Sequence, residues 1–543
     1  MKNISGQIVD IHKREIFPGT IVYSEQGINR IEKLSEAPDQ YILPGLIDAH
    51  VHIESSMLVP SRFSRLVVPR GTIGVVTDPH EIANVLGTDG VYYMMEESSH
   101  TPLKCFFGAP SCVPATPLES SGAVLDSDKI KNLLDDSRIY ALSEMMNFPG
   151  VVHGDSEVWA KIEAARERGI PIDGHAPGVV GEDLKKYAAA GISTDHECFG
   201  LDEALEKIQN GMKIQIREGS AARNFQALKK LFDLHPDQLM LCTDDSHPDE
   251  LVSSGHIDKL IKLGLQEDID VFKLLRAASL IPAEHYGLPV GLLREGDAAD
   301  FIVVNNLSDF RILQTHIDGV EVYDEENGVL FDQAPVKRVN QFRPHIVSEQ
   351  DLCIEIPSHS TSARVIEAFD GELVTGMQKI ELQGEDVFSS NVSRDILKIA
   401  VIDRYQNKPV SVGLIHGFGL QKGALASSVA HDSHNVVAVG VDDYDIIAAV
   451  NAVMENQGGL AVAYGNQVYD LPLPVAGLMS DKAGDEVSSL YGELEEKAKN
   501  LGSKLQAPFM TLSFMSLLVI PELKIGDAGL FDVNKFEFTT LFE

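Results

Sequence analysis

The chain opens on alternation. Between Gly6 and about Glu36, apolar and polar residues trade places, as in Gly6-Gln7-Ile8-Val9-Asp10-Ile11 and Gly19-Thr20-Ile21-Val22-Tyr23, and this is the period of short strands. The pattern changes at Tyr41-Ile42-Leu43. There the chain runs through Pro44-Gly45 into Leu46-Ile47-Asp48-Ala49-His50-Val51-His52, an apolar run with few charges. Such a run suits a strand buried on both faces. Similar runs recur at Arg70–Asp78, Lys104–Gly108, Arg138–Glu144, Ile170–His175, Ile192–His196, Met212–Arg217 and Gln238–Asp244. Helical periodicity separates several of them, clearest at Glu157–Arg168 before Gly169 and at Glu182–Ala190 before Gly191.

Eight strand–helix units in series predict an α/β fold, a parallel (β/α)8 TIM barrel over residues 44–285. An open doubly wound sheet is the rival, but it usually carries fewer units and a glycine-rich nucleotide loop, and no such loop is visible. After the barrel, Gly291–Val304 returns to short strands. These are expected to pair with the N-terminal strands, giving a small composite β domain from residues 1–43 plus 286–344. Residues 345–543 read as a separate C-terminal α/β domain, with strands at Asp351–Ile356 and Ser411–Ile415 and a helix at Val487–Asn500. The chain shows no internal repeat and no low-complexity tract.

Bulk properties narrow the class. The 543 residues exceed one ordinary core, and 44% of them are hydrophobic, enough for a sizeable interior. A formal net charge of −36 argues against phosphate backbones and anionic membranes as partners. Five scattered cysteines without a CxxC pair fit a reducing compartment. No apolar segment of signal-peptide type opens the chain, and no run is long enough to span a bilayer. A cytoplasmic protein is expected.

The polar residues at the strand ends carry the chemistry. His50, His52, Glu144, His175, His196 and Asp244 all fall at C-terminal ends of predicted strands, the catalytic face of a barrel. His50 and His52 are two apart on a strand, so both imidazoles share one face and can reach one ion. An HxH pair alone is weak, but four further ligand-type residues in the same relative position point to a metal site. Glu144 sits among Leu142, Met145 and Met146, where a lone carboxylate is costly unless it is paired or metal-bound. It is either a structural ion pair or a carboxylate bridging two metals, with His175 and His196 completing the shell of the second metal. Asp244 is the expected metal-bound general base, and a swap of roles with Asp245 stays open. Histidine and carboxylate ligands without thiolate fit Mn(II) or Fe(II), with Zn(II) also compatible. A bound divalent ion brings the pKa of water towards ~7, which makes hydrolysis the natural reaction class.

Longer motifs carry a resemblance. Leu43-Pro44-Gly45-Leu46-Ile47-Asp48-x-His50-x-His52, with the Gly291–Val304 segment, resembles the amidohydrolase superfamily. Closer still, the chain is similar to bacterial-type adenine deaminases at His50–Met57, Thr77–Val85, Ser143–Asn147, Asp173–Gly178, Ile216–Ala222, Cys242–Pro248 and His431-Asp432-Ser433-His434-Asn435. The resemblance covers essentially the whole chain. It implies a binuclear centre with Glu144 where many superfamily members carry a carboxylated lysine. It implies hydrolytic deamination of adenine to hypoxanthine and ammonia, a step of purine salvage, by metal-activated hydroxide. Glu81 and Glu54 are the candidates to protonate the ring at N1, and His80 to hold the intermediate. Arg217 and Asp245 are candidates to contact substrate. Glu54 can equally support the histidines, His80 and Glu81 can be a packing histidine and a helix-start acid, and Arg217 can be a structural ion pair. His431 and His434 are three apart and can face one way on a helix; a place at the active-site mouth, an extra metal site or a structural role at a domain interface all stay open. Another amidohydrolase chemistry, on a cyclic amide, an imide or another aminopurine, is the alternative. A non-catalytic scaffold is disfavoured because all six ligand positions are intact. A free base is the expected substrate, and a homodimer the default assembly.

Overall fold

The apolar runs become short, largely buried strands. The computed structural model describes residues 1–220, 222–382, 384 and 386–543. Ala221, within the Ile216–Ala222 motif, lies outside the described residues. In chain order the parallel strands are β1 (Leu46–Val51), β2 (Thr72–Thr77), β3 (Lys104–Ala109), β4 (Ile139–Met145), β5 (Ile172–Gly174), β6 (Thr194–Asp195), β7 (Lys213–Arg217) and β8 (Leu239–Cys242). Strands β1 to β5 form one parallel sheet and β6 to β8 another. Two parallel bridges join the sheets, Ile172 to Ile192 on one side and Val51 to Asp244 on the other. The eight strands thus curl into the barrel. Every residue of β1, β2, β5 and β8 is buried, as expected for strands covered on both faces.

Local chemistry sets the helices. In the helix Ser156–Arg168, the Asp155 carboxylate accepts the free N–H groups of Glu157 and Val158, and Gly169 closes the far end at φ 64°. Gly174 ends β5 because a Cβ there would lie 2.4 Å from the Thr194 carbonyl oxygen. Glycine therefore lets β5 and β6 approach just where His175 and His196 emerge.

By contacts the chain parts into two units. The first comprises residues 1–80, 92–112 and 125–335, and the second residues 81–91, 113–124 and 336–543. In the first, an eight-stranded sheet interleaves the two ends of the barrel sequence. Phe301–Val304 runs antiparallel to Tyr41–Pro44, which lies parallel to Lys2–Asp10. Its core mixes Ile8, Ile21 and Ile42 with Phe301 and Val303, so neither segment buries its apolar face alone.

The second unit carries its own eight-stranded sheet, from Ser362–Ala368 to Gln467–Pro472, with the helix Asp443–Glu455 packed on it through Ile446, Ala449, Val450 and Val453. Ser411–His416 is a strand and Gly484–Asn500 a helix, close to the expected spans. The strand expected at Asp351–Ile356 does not form. Asp351 instead closes a capping box with Ser348, which turns Glu349–Leu352 into a 3-10 helix and leaves one isolated bridge at Glu355.

Candidate metal centre

Six side chains converge at the C-terminal ends of the barrel strands. His50 lies in β1 and His52 just beyond it; Glu144 is the penultimate residue of β4; His175 and His196 follow β5 and β6 directly. Asp244 lies two residues past β8 with φ 57°, a left-handed conformation that aspartate tolerates better than most side chains. Its backbone is stitched to the first strand. The Asp244 N–H donates to the His50 carbonyl at 2.9 Å, and its own carbonyl accepts from the His52 N–H at 3.1 Å. Asp244 Oδ1 therefore stands 3.3 Å from His50 Nε2 and 3.1 Å from His52 Nε2.

Glu144 divides its two oxygens between two sets of histidines. Oε1 lies 3.2 Å from His52 Nε2 and 3.3 Å from His80 Nδ1. Oε2 lies 2.8 Å from His175 Nδ1 and 3.2 Å from His196 Nε2. The rings of His50 and His196 stack at 4.3 Å.

Whether these groups fit metal ions is decided by the His52 tautomer. His52 Nδ1 lies 3.0 Å from the Asp78 carbonyl oxygen, which can only accept, so Nδ1 carries the hydrogen. In the neutral ring, Nε2 then presents a bare lone pair to Asp244 and Glu144. Lone pair against carboxylate is repulsive unless a cation stands between them. The His50 Nε2 and His196 Nδ1 atoms are buried and make no hydrogen bond. Atoms of His50, His196 and Asp244, and of Glu144, His175 and His196, lie within 4.8 Å of one another. That spacing suits ligands bonded at about 2.0–2.2 Å to a shared ion. The residues fit a pair of divalent ions, with Glu144 able to serve both.

The proton equilibria of the metal-free site say the same. Burial and the neighbouring His80 oppose a charge on His52, yet Asp244 and Glu144 hold its pKa well above the ordinary value. Burial likewise opposes ionised Glu144, but His175, His196 and His52 hold its carboxyl well below the usual range. Burial is outweighed again at His175, where Glu197 and Glu144 push the pKa up to about 9. The pocket draws positive charge into its centre, as protons or as metal ions.

Other expected residues are placed as follows. His80 opens the helix His80–Leu86, and its Nδ1 sits 3.1 Å from Asp78 Oδ2. Arg217, at the end of β7, is a buried ion pair: its guanidinium binds Glu197, 2.5 Å away, and Asp244. Asp245 accepts from Ser55 Oγ at 2.5 Å. Glu54 is buried in the 3-10 turn after His52.

Glu197 and Asp78 belong to the centre and were not singled out from sequence. Glu197 Oε1 lies 3.5 Å from His196 Nε2 and 3.7 Å from His175 Nδ1. Strand alternation would have sent Glu197 away from His196, but β6 stops at Asp195 and the alternation stops with it.

In the second unit, both oxygens of Glu81 are held by imidazoles. His431 Nδ1 meets Oε1 and His434 Nε2 meets Oε2, each at 2.5 Å. The two histidines do not share a helix face as expected. Residues 431–433 form a turn, and His434 takes φ 55°.

Comparison with known proteins places the chain in a family. Residues 41–322 match the amidohydrolase family, and residues 372–537 match the adenine deaminase C-terminal domain. An adenine deaminase of Methanosarcina mazei is 55% identical over 554 residues, covering 100% of both chains. One from Salinibacter ruber is 51% identical over 544 residues, covering 99% of both. One from Methanothermobacter thermautotrophicus is 45% identical, covering 99% of this chain and 100% of its own. The chain belongs to the adenine deaminase family. As a member of the amidohydrolases it is metal-dependent, and this chain has buried histidine–carboxylate groups at the barrel's strand ends. Among the described residues, no helix is long and apolar enough to cross a membrane.

Proposed function

We infer that the chain hydrolyses adenine to hypoxanthine and ammonia, and that the strand-end cluster is its reaction centre. The observation that carries this reading is Glu144, whose two oxygens face two separate histidine sets. His50, His52, Glu144 and Asp244 would hold one divalent ion, and Glu144, His175 and His196 a second. The nitrogen and oxygen donors, without thiolate, suit Mn(II), Fe(II) or Zn(II), and Mn(II) or Fe(II) is the proposed pair. Such ions supply a nucleophilic water near neutral pH.

The protein's own groups move the protons. Asp244 accepts one from the attacking water and delivers it to the departing amino group, which leaves C6 as ammonia. Glu81, next in the chain after His80, protonates N1 as C6 becomes tetrahedral. The proton left on the C6 oxygen returns to Glu81 as the C–N bond breaks, so the acid is regenerated. Arg217 acts through Asp244: their buried pairing keeps that carboxylate ionised and aimed. Asp245 and Glu54 contribute to binding of the purine, and His80 to holding the intermediate. A homodimer is the proposed assembly, checked by light scattering.

The deciding experiment is ammonia release from adenine by chain reloaded with Mn(II) after chelation, beside a His50→Ala, His52→Ala variant. Rapid release that the variant abolishes supports the reaction and the site together. Bound metal without turnover of adenine would retain the hydrolase and redirect the substrate to cyclic amides or other aminopurines.

A further inference from the structure

One buried cluster is not used by the metal centre. Glu81 is gripped by two histidines from a turn 350 and 353 residues further along the chain. The turn is rigid by construction. The ring of His431 stacks on Phe514 at 4.8 Å with planes 15° apart, and the His431 backbone N–H donates to the Ser513 carbonyl. The Tyr405 hydroxyl donates to the Ser433 carbonyl at 2.6 Å. Asn435 Nδ2 donates to the Ser120 carbonyl at 3.1 Å, and Arg404 Nη1 to the His434 carbonyl at 3.4 Å.

The hydrogen on His434 can be placed. The Ala430 N–H donates to His434 Nδ1 at 3.2 Å, so Nδ1 is an acceptor and Nε2 carries the hydrogen. Burial keeps this ring neutral, with its pKa lowered to about 4. His434 is therefore a fixed donor to Glu81 Oε2 and cannot take a proton from it. An oxygen that already accepts from His434 is the poorer site for a proton, which favours Oε1, against His431 Nδ1, as the carrier of the acidic proton of Glu81. The charged groups around the turn include Arg404 and Asp432, with Glu119 near both Asp432 and Asp527, and Lys408 paired with Asp527.

We propose that the His431–His434 turn is a clamp for Glu81: it fixes the rotamer of the carboxyl group and confines its transferable proton to one oxygen. The histidines are positioning residues, and the proposal rests on the reading of Glu81 as the proton donor to the purine. It makes the C-terminal segment a working part of the catalytic acid.

Variants of the metal-loaded full chain test it through kcat, KM and the pH profile of kcat/KM. His434→Gln keeps an N–H near the Nε2 position; His434→Met removes it. With His434→Met, kcat falls by about 10- to 100-fold while KM moves less than about threefold, and His434→Gln recovers most of the loss. Losing a donor to the carboxylate raises its pKa, so the alkaline limb of the profile moves to higher pH in His434→Met only. Equal losses in Met and Gln variants with an unmoved limb would reduce the turn to a structural element and overturn the clamp. If His434→Met does not fold, His431→Phe, which preserves the stack on Phe514, is compared with His431→Asn by the same readouts. Glu81→Gln separates the two layers. An inactive Glu81→Gln with indistinguishable histidine variants sinks the clamp alone. A fully active Glu81→Gln sinks the acid assignment and the clamp with it, and leaves the metal centre standing.

Discussion

Two buried glutamates in this chain are each flanked by histidines, and the two sets of histidines face them in opposite ways. Around Glu144 the decisive imidazole, His52, has its hydrogen turned away to the Asp78 carbonyl, so its lone pair faces the carboxylates. Around Glu81 the decisive imidazole, His434, has its lone pair turned away to the Ala430 N–H, so its hydrogen faces the carboxylate. The first arrangement calls for a cation in the middle and suits a metal. The second is complete as it stands and suits a poised acid. One backbone hydrogen bond per ring separates the two outcomes.

The comparison can be broken most severely at Glu144. Glu144→Gln removes the anionic charge and one of the two oxygen ligands, and adenine turnover is expected to fall by at least about 10³-fold. Bound metal, measured by atomic emission on the same sample, falls with it. A Gln variant that stays fully loaded would refute the bridging role. Next is Glu81→Gln. Its kcat is expected to fall by about 10²–10⁴-fold with metal content unchanged, because the acid and not the ion site has been removed. Loss of metal here would mean that the two glutamates are not functionally distinct.

Arg217→Met sharpens the first region. It leaves Glu197 and Asp244 buried without their cation, which costs about 3–5 kcal/mol of stability in urea unfolding. An unchanged midpoint would show that the metal ions alone balance those charges.

The smallest effect is in pH. In the metal-free protein the His175 pKa is raised to about 9 from 6.5. A raised histidine stabilises fully below its unfolded value and loses that stabilisation as pH rises through the folded one. Metal-free chain should therefore lose on the order of 1–3 kcal/mol between about pH 6.5 and 9, whereas Mn(II)-loaded chain, with its histidines already bound, should not. Parallel pH profiles for the two forms would remove His175 from the ligand set.

Much of the barrel was legible because it is written in periodicity. Runs such as Leu46–Val51 and Leu239–Cys242 have few polar residues until their ends, so His50, His52 and Asp244 stand out against an apolar background. The C-terminal segment was less legible. Asp351–Ile356 has the composition of a strand, but a side-chain cap from Asp351 to Ser348 outcompetes the ladder. His431 and His434 have helical spacing, yet the turn that carries them is held by Tyr405, Arg404 and Ser513, none of which is near in sequence.

By itself, then, the sequence determined the eight-strand periodicity, the six ligand-type residues and their strand-end positions, since each follows from short-range pattern and side-chain chemistry. Only the tertiary structure decided how the oxygens of Glu144 are shared, that Arg217 is bound to Glu197 and Asp244, and that Glu81 answers to His431 and His434. The physical reason is direction. A residue's identity says that it can donate or accept, but which ring nitrogen keeps its hydrogen, and which carboxylate oxygen it meets, is set by backbone groups brought there by the fold.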